Sequence, residues 1–87
     1  IPVETHIKNY MAKEGLHFYI QYLFEENEIF TNETLHIAII YHQNECAKYL
    51  CMVGCPYNNH TLHLAKNCKN LEMIDHLKYL GLPDKKK

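Results

Sequence analysis

Thr34-Leu35-His36-Ile37-Ala38 and Thr61-Leu62-His63-Leu64-Ala65 are two versions of one phrase, set 27 residues apart. The same offset pairs Glu45 with Glu72, Leu50 with Leu77, Gly54 with Gly81 and Pro56 with Pro83. A fixed period of this kind is the mark of a repeat architecture, in which each residue is read by its place in the unit. A further step toward the N-terminus lays Tyr22, Leu23 and Asn32 on Tyr49, Leu50 and Asn59. It also sets Ala12 on Ile39, Ile20 on Ala47, Phe24 on Cys51 and Phe30 on Tyr57. The chain therefore reads as a single domain, 1–87, of three units near 6–32, 33–59 and 60–86, the first degenerate.

Within a unit the local chemistry describes two short helices. Thr34 and Thr61 are N-cap types placed before the apolar sets Leu35, Ala38, Ile39 and Leu62, Ala65, a spacing that builds one helical face. After a polar break, Cys46, Ala47, Leu50 and Cys51 form a second stripe that recurs as Met73, Ile74, Leu77 and Lys78. Gly54 and Gly81 supply the left-handed residue that ends such a helix, and Pro56 and Pro83 block its continuation. Asn27 takes the glycine's place in the first unit, being the residue that tolerates that conformation best after glycine. No segment alternates with period two, so an all-α fold is expected. The helix pairs are expected near 4–25, 34–53 and 61–80.

Composition narrows the function classes. Nine Lys+Arg against ten Asp+Glu leave a net charge of -1, which offers no basic field for nucleic acid. The longest apolar runs, such as residues 37–41, are far short of the roughly 20 residues of a membrane span, and no leader opens the chain. A soluble cytoplasmic or nuclear protein is expected. The chain starts on Ile1 and Pro2 rather than Met, the form expected of a fragment or a processed product.

In this frame the second unit resembles an ankyrin repeat. Leu35-His36-Ile37-Ala38 is similar to that family's Leu-His-x-Ala, Glu45-Cys46-Ala47-Lys48-Tyr49-Leu50 to its Glu-Val-Val-Lys-Leu-Leu, and Gly54-Cys55-Pro56-Tyr57-Asn58 to its closing Gly-Ala-Asp-Val-Asn. The third unit repeats the likeness. The usual period of that family is about 33 residues, and the shortfall here falls after Asn58, where the family places its β-hairpin finger. Short units with a Gly-x-Pro stop are similar to the compact ankyrin-like arrays of large DNA viruses and some protists. The resemblance implies a helical solenoid without a β-finger. It also implies a protein-interaction role, with a viral factor acting on a host protein as one form, and no enzymatic activity. It gives His36 and His63 a structural part, hydrogen-bonding within and between neighbouring helix starts.

Binding is expected on inner-helix residues and loop tips: Lys13, Ile40, Tyr41, Asn59, His60, Lys66 and Asn67. Ile40 and Tyr41 stand out, because an apolar pair sits where such arrays carry polar residues. The competing reading is a small zinc-stabilised domain using Cys51, Cys55, His60 and Cys68. Cys51 and Cys55 have zinc-like spacing, whereas His60 and His63 are closer together than the usual pair. Packing as small hydrophobes accounts for Cys46, Cys51 and Cys55, so no cofactor is expected. A Cys68–His63 nucleophile lacks any orienting group, and no phosphate loop or nucleophile elbow is present. Phe18, Tyr19, Tyr22, Phe24 and Phe30 are expected in the core and a closing cap, and Lys85 to Lys87 as a solvated tail.

Overall fold

The computed structural model describes residues 4–81, and among them all regular structure is helical. The helices are α1 (Thr5–Glu14), α2 (His17–Glu25), α3 (Asn32–Ile40), α4 (Asn44–Met52), α5 (Asn59–Asn67) and α6 (Leu71–Tyr79). Odd helices start at 5, 32 and 59 and even helices at 17, 44 and 71, so the 27-residue period of the sequence is the period of the helices. Each odd helix packs on the even helix that follows it. Between pairs, α1 packs on α3 and α3 on α5, while α2 packs on α4 and α4 on α6.

The reversals explain why the chain folds back at these points. Every described residue with positive φ falls on one of two repeat positions: Gly15, His42 and Lys69 inside a pair, and Asn27, Gly54 and Gly81 after it. Asn27 thus takes the expected left-handed conformation, at φ 71°. Gly15 is required for a second reason. A Cβ there would come 2.5 Å from Gln43 Oε1, and Gln43 reaches past this point to the carbonyl of Lys13.

Leu35, Ala38, Ile39, Cys46, Ala47, Leu50, Leu62, Ala65, Met73 and Leu77 are buried as the spacing predicts. Alanines at 12, 38, 47 and 65 have no exposed surface and let neighbouring helices approach closely. Lys78, expected on the buried stripe, is exposed because no later helix among the described residues covers it. Of the aromatics assigned to the core only Phe30 is buried; Phe18, Tyr19, Tyr22 and Phe24 are exposed. Pro83 and the Lys85 to Lys87 tail lie outside the described residues, as do Ile1 and Pro2.

The helix starts also differ from expectation. Thr34 and Thr61 are not N-caps: α3 and α5 begin two residues earlier, after Thr31 and Asn58, so Asn32 and Asn59 open helices rather than close units. At α5 the reason is a capping box, in which Asn58 accepts from the Thr61 amide and the Thr61 hydroxyl accepts from the Asn58 amide, whereas Thr31 makes no side-chain cap bond at α3. Asn59 and His60 accordingly sit in the first helical turn and not at a loop tip. α5 also occupies the chain immediately after Asn58, where a hairpin finger would otherwise project.

Candidate functional site

Successive helix pairs are joined by a repeated set of polar bonds. Thr34 Oγ1 donates to Asn9 Oδ1 at 2.6 Å, and one period later Thr61 Oγ1 and His36 Nε2 are 2.8 Å apart. Gln43 Nε2 donates to Lys13 O at 2.9 Å, and Asn70 Nδ2 donates to Ile39 O at 3.0 Å. These amides satisfy carbonyls in the last turns of α1 and α3, groups that a helix cannot pair internally. Glu72 accepts from Asn44 Nδ2 at 2.9 Å and from the Lys48 ammonium. Those two bonds, with the Lys48 charge, hold its carboxyl below the usual range.

This bonding fixes the edge on which most of the expected binding residues lie. Lys13, Ile40 and Asn67 occupy one repeat position at the ends of α1, α3 and α5, and all three are exposed. Ile40 is 42% exposed and Tyr41 51%. Lys13 Nζ stands 5.3 Å from the Tyr41 ring centroid, a cation–π contact worth about 0.5–1 kcal/mol at an exposed site. Lys66 is exposed one residue before Asn67. Asn59 and His60 are exposed at the opposite end of α5, about 12 Å away along a helix rising 1.5 Å per residue. The structure therefore groups Lys13, Ile40, Tyr41, Lys66 and Asn67 and separates them from Asn59 and His60. The His60 ring instead lies 5.6 Å from that of His36. Partial burial, aided by the His60 charge, lowers the His36 pKa.

The cysteines have structural surroundings. Burial pushes the thiols of Cys46 and Cys55 up to about 11, and burial with the nearby Cys55 takes Cys51 to about 12. Cys55 Sγ donates to Thr31 O at 3.2 Å, and Cys68 Sγ donates toward Ala65 O and Ile39 O at 3.6 and 3.7 Å. All four are free thiols. Among the described residues no group of three or more His, Cys, Asp or Glu side chains is placed to hold a metal ion, so Cys51, Cys55, His60 and Cys68 are not assembled as a ligand set.

Sequence reasoning missed Gln43, Asn70 and Asn9 as joints between pairs. Gln43 and Asn70 share a repeat position, and that recurrence of an amide side chain was the available signal. Among the described residues no helix is long and apolar enough to cross a membrane. No protein-family model, no curated protein and no solved structure matches this chain significantly.

Proposed function

We propose that the chain is a short ankyrin-like solenoid of three units that acts as a protein-interaction module. One observation carries this reading: the exposed apolar pair Ile40 and Tyr41 on the shared edge of the odd helices, with Lys13 over the Tyr41 ring. Repeats of this size bury a core only by stacking, which leaves one edge of the stack as a rigid display surface. A tyrosine supplies contact area at little conformational cost and keeps a polar tip for hydrogen bonding. Full burial of an Ile side chain contributes about 1.5–3 kcal/mol. With 42% of Ile40 exposed, covering the remainder contributes about 1 kcal/mol by the same area scale. Lys66 and Asn67 border the pair, and Asn59 and His60 form a separate second contact. A partner protein in the cytoplasm or nucleus, including a host protein met by a viral factor, fits this surface.

The test joins stability to capture. Pull-down with mass spectrometry identifies a partner of the wild-type chain, and Ile40→Lys and Tyr41→Ser are then compared with it. Loss of capture with melting temperatures almost unchanged supports the reading. Unimpaired capture, or a large fall in melting temperature, overturns the assigned site.

A further inference from the structure

Each later helix pair meets the pair before it through the same repeat positions. Thr34 and Thr61 bond Asn9 and His36, Gln43 and Asn70 bond the carbonyls of Lys13 and Ile39, and Glu72 bonds Asn44 and Lys48. Tyr49 sets its ring edge-on to Phe24 with centroids 6.3 Å apart. Ala38 and Ala65 at one further repeat position, and Cys46 and Met73 at another, are buried. In the first pair these positions are held by Ile7, Met11, Leu16, Phe18, Tyr19 and Tyr22. Isoleucine replaces the threonine hydroxyl, leucine the amide and phenylalanine the carboxylate. Phe18, Tyr19 and Tyr22 are 74%, 60% and 57% exposed and line an open hollow of about 300 Å³.

A preceding helix pair like the later ones would bring a polar side chain and helix-end carbonyls to this face and find no hydroxyl or amide to meet them. The face is chemically suited to hydrocarbon. At the other end of the stack the positions of buried Ile39 and Cys51 are taken by Lys66 and Lys78, both exposed. Head-to-tail contact between copies would set the charged side chains of Lys66 and Lys78 toward this apolar face, whereas contact between two copies of the face matches hydrocarbon with hydrocarbon.

We propose that the face formed by Ile7, Met11, Leu16, Phe18, Tyr19 and Tyr22 docks on the same face of a second copy of this chain about a two-fold axis. Such contact buries hydrocarbon against hydrocarbon and closes on itself. Aromatic side chains carry about 150–250 Å² each, so the exposed parts of these residues amount to roughly 500 Å² per copy. A pair then buries on the order of 1,000 Å², the lower bound of a specific interface. Tyr19 and Tyr22 keep their hydroxyl tips at its rim. The proposal rests on the stacked-unit reading above but uses none of the residues assigned there to a partner.

Sedimentation equilibrium of the whole chain up to about 100 μM, which populates a dimer of micromolar Kd, tests it. The wild-type chain should show a mass rising to twice the monomer. Phe18→Glu, which installs the residue the later units carry, should remain monomeric with unchanged helical circular dichroism, and Tyr22→Ser should weaken association if that variant misfolds. Lys78→Glu and Ile40→Lys should still dimerise, the latter having lost its partner, so either proposal can fail alone. A monomer throughout, a dimer that survives both Phe18→Glu and Tyr22→Ser, or a dimer abolished by Lys78→Glu overturns the inference. The first of these outcomes assigns the face to an apolar segment of some other protein.

Discussion

The side-chain amide of Asn70 donates to the carbonyl oxygen of Ile39 at 3.0 Å, so the last turn of α3 is capped by a residue of the next helix pair. The same amide donates to Asn44 Oδ1 at 2.8 Å, and Asn70 Oδ1 accepts from the Met73 amide at the start of α6. One side chain, 1% exposed, thereby links the end of one helix to the starts of two others.

Asn70→Ala should therefore cost about 2–4 kcal/mol, since it removes an N-cap and leaves buried acceptors without a donor. Gln43→Ala, at the equivalent but less buried position, should cost about 0.5–1.5 kcal/mol. Urea denaturation of both variants checks the order. Equal midpoints would show that burial of this joint has no energetic consequence.

Lys8 stands where the later units carry Leu35 and Leu62, and its side chain is only 8% exposed. Its ammonium donates to Ile29 O at 2.6 Å, lies 3.1 Å from Glu28 and sits 5.3 Å from the Phe30 ring centroid. Breaking a buried pair strands a charge, whereas replacing both partners by apolar or neutral groups removes the desolvation penalty. Glu28→Ala should thus destabilise by about 3 kcal/mol, while the double variant Lys8→Leu, Glu28→Gln should match or exceed the wild type. Chemical denaturation decides. A double variant as unstable as the single one would contradict the argument.

Stability should depend on pH through His36. Its pKa is lowered from 6.5 by partial burial and by His60, so below that value the unfolded chain binds a proton that the folded chain resists. Folding is then fully favoured above pH 6.5 and weakens as pH falls toward the lowered folded value. His76, lowered chiefly by burial, acts in the same sense. His36→Asn installs the residue type that, as Asn9, accepts the equivalent bond from the Thr34 hydroxyl. It should keep the melting temperature at pH 7.5 and reduce its fall between pH 6.5 and 5. Thermal melts across that range that leave the slope unchanged would remove His36 from the account.

Thiol reactivity should rank with burial. Cys46, Cys51 and Cys55 are buried with raised pKa values, whereas Cys68 is half-exposed. In the native protein at pH 7.5 a disulfide reagent should modify Cys68 first, and Cys68→Ser should abolish that fast phase. EDTA with reductant should leave helical circular dichroism unchanged. Loss of helix on chelation would instead reveal a metal that contributes to folding.

The period, the six helices and most of the core were legible because they depend on local chemistry. An apolar stripe such as Leu35, Ala38 and Ile39 selects a helical face in any context, and Gly54, Gly81 and Asn27 adopt positive φ because of what they are. The same stripe turned Ile40 and Tyr41 away from the core direction but left open whether a neighbouring unit covers them, and their exposure of 42% and 51% was decided by the stack. Which neighbour covers a given repeat position was decided only by the stack. Tyr19, Cys46 and Met73 share one position, yet Tyr19 is exposed and the other two are buried, because a helix pair precedes each of the latter among the described residues. Thr34 and Thr61 likewise read as N-caps until Asn9, His36 and Asn58 stand beside them. Lys8 at a leucine position is buried only because Glu28, Ile29 and Phe30 converge on it from the loop that leads into α3. Burial and pairing of this kind are properties of two segments at once, and a pattern along one segment carries only half of each.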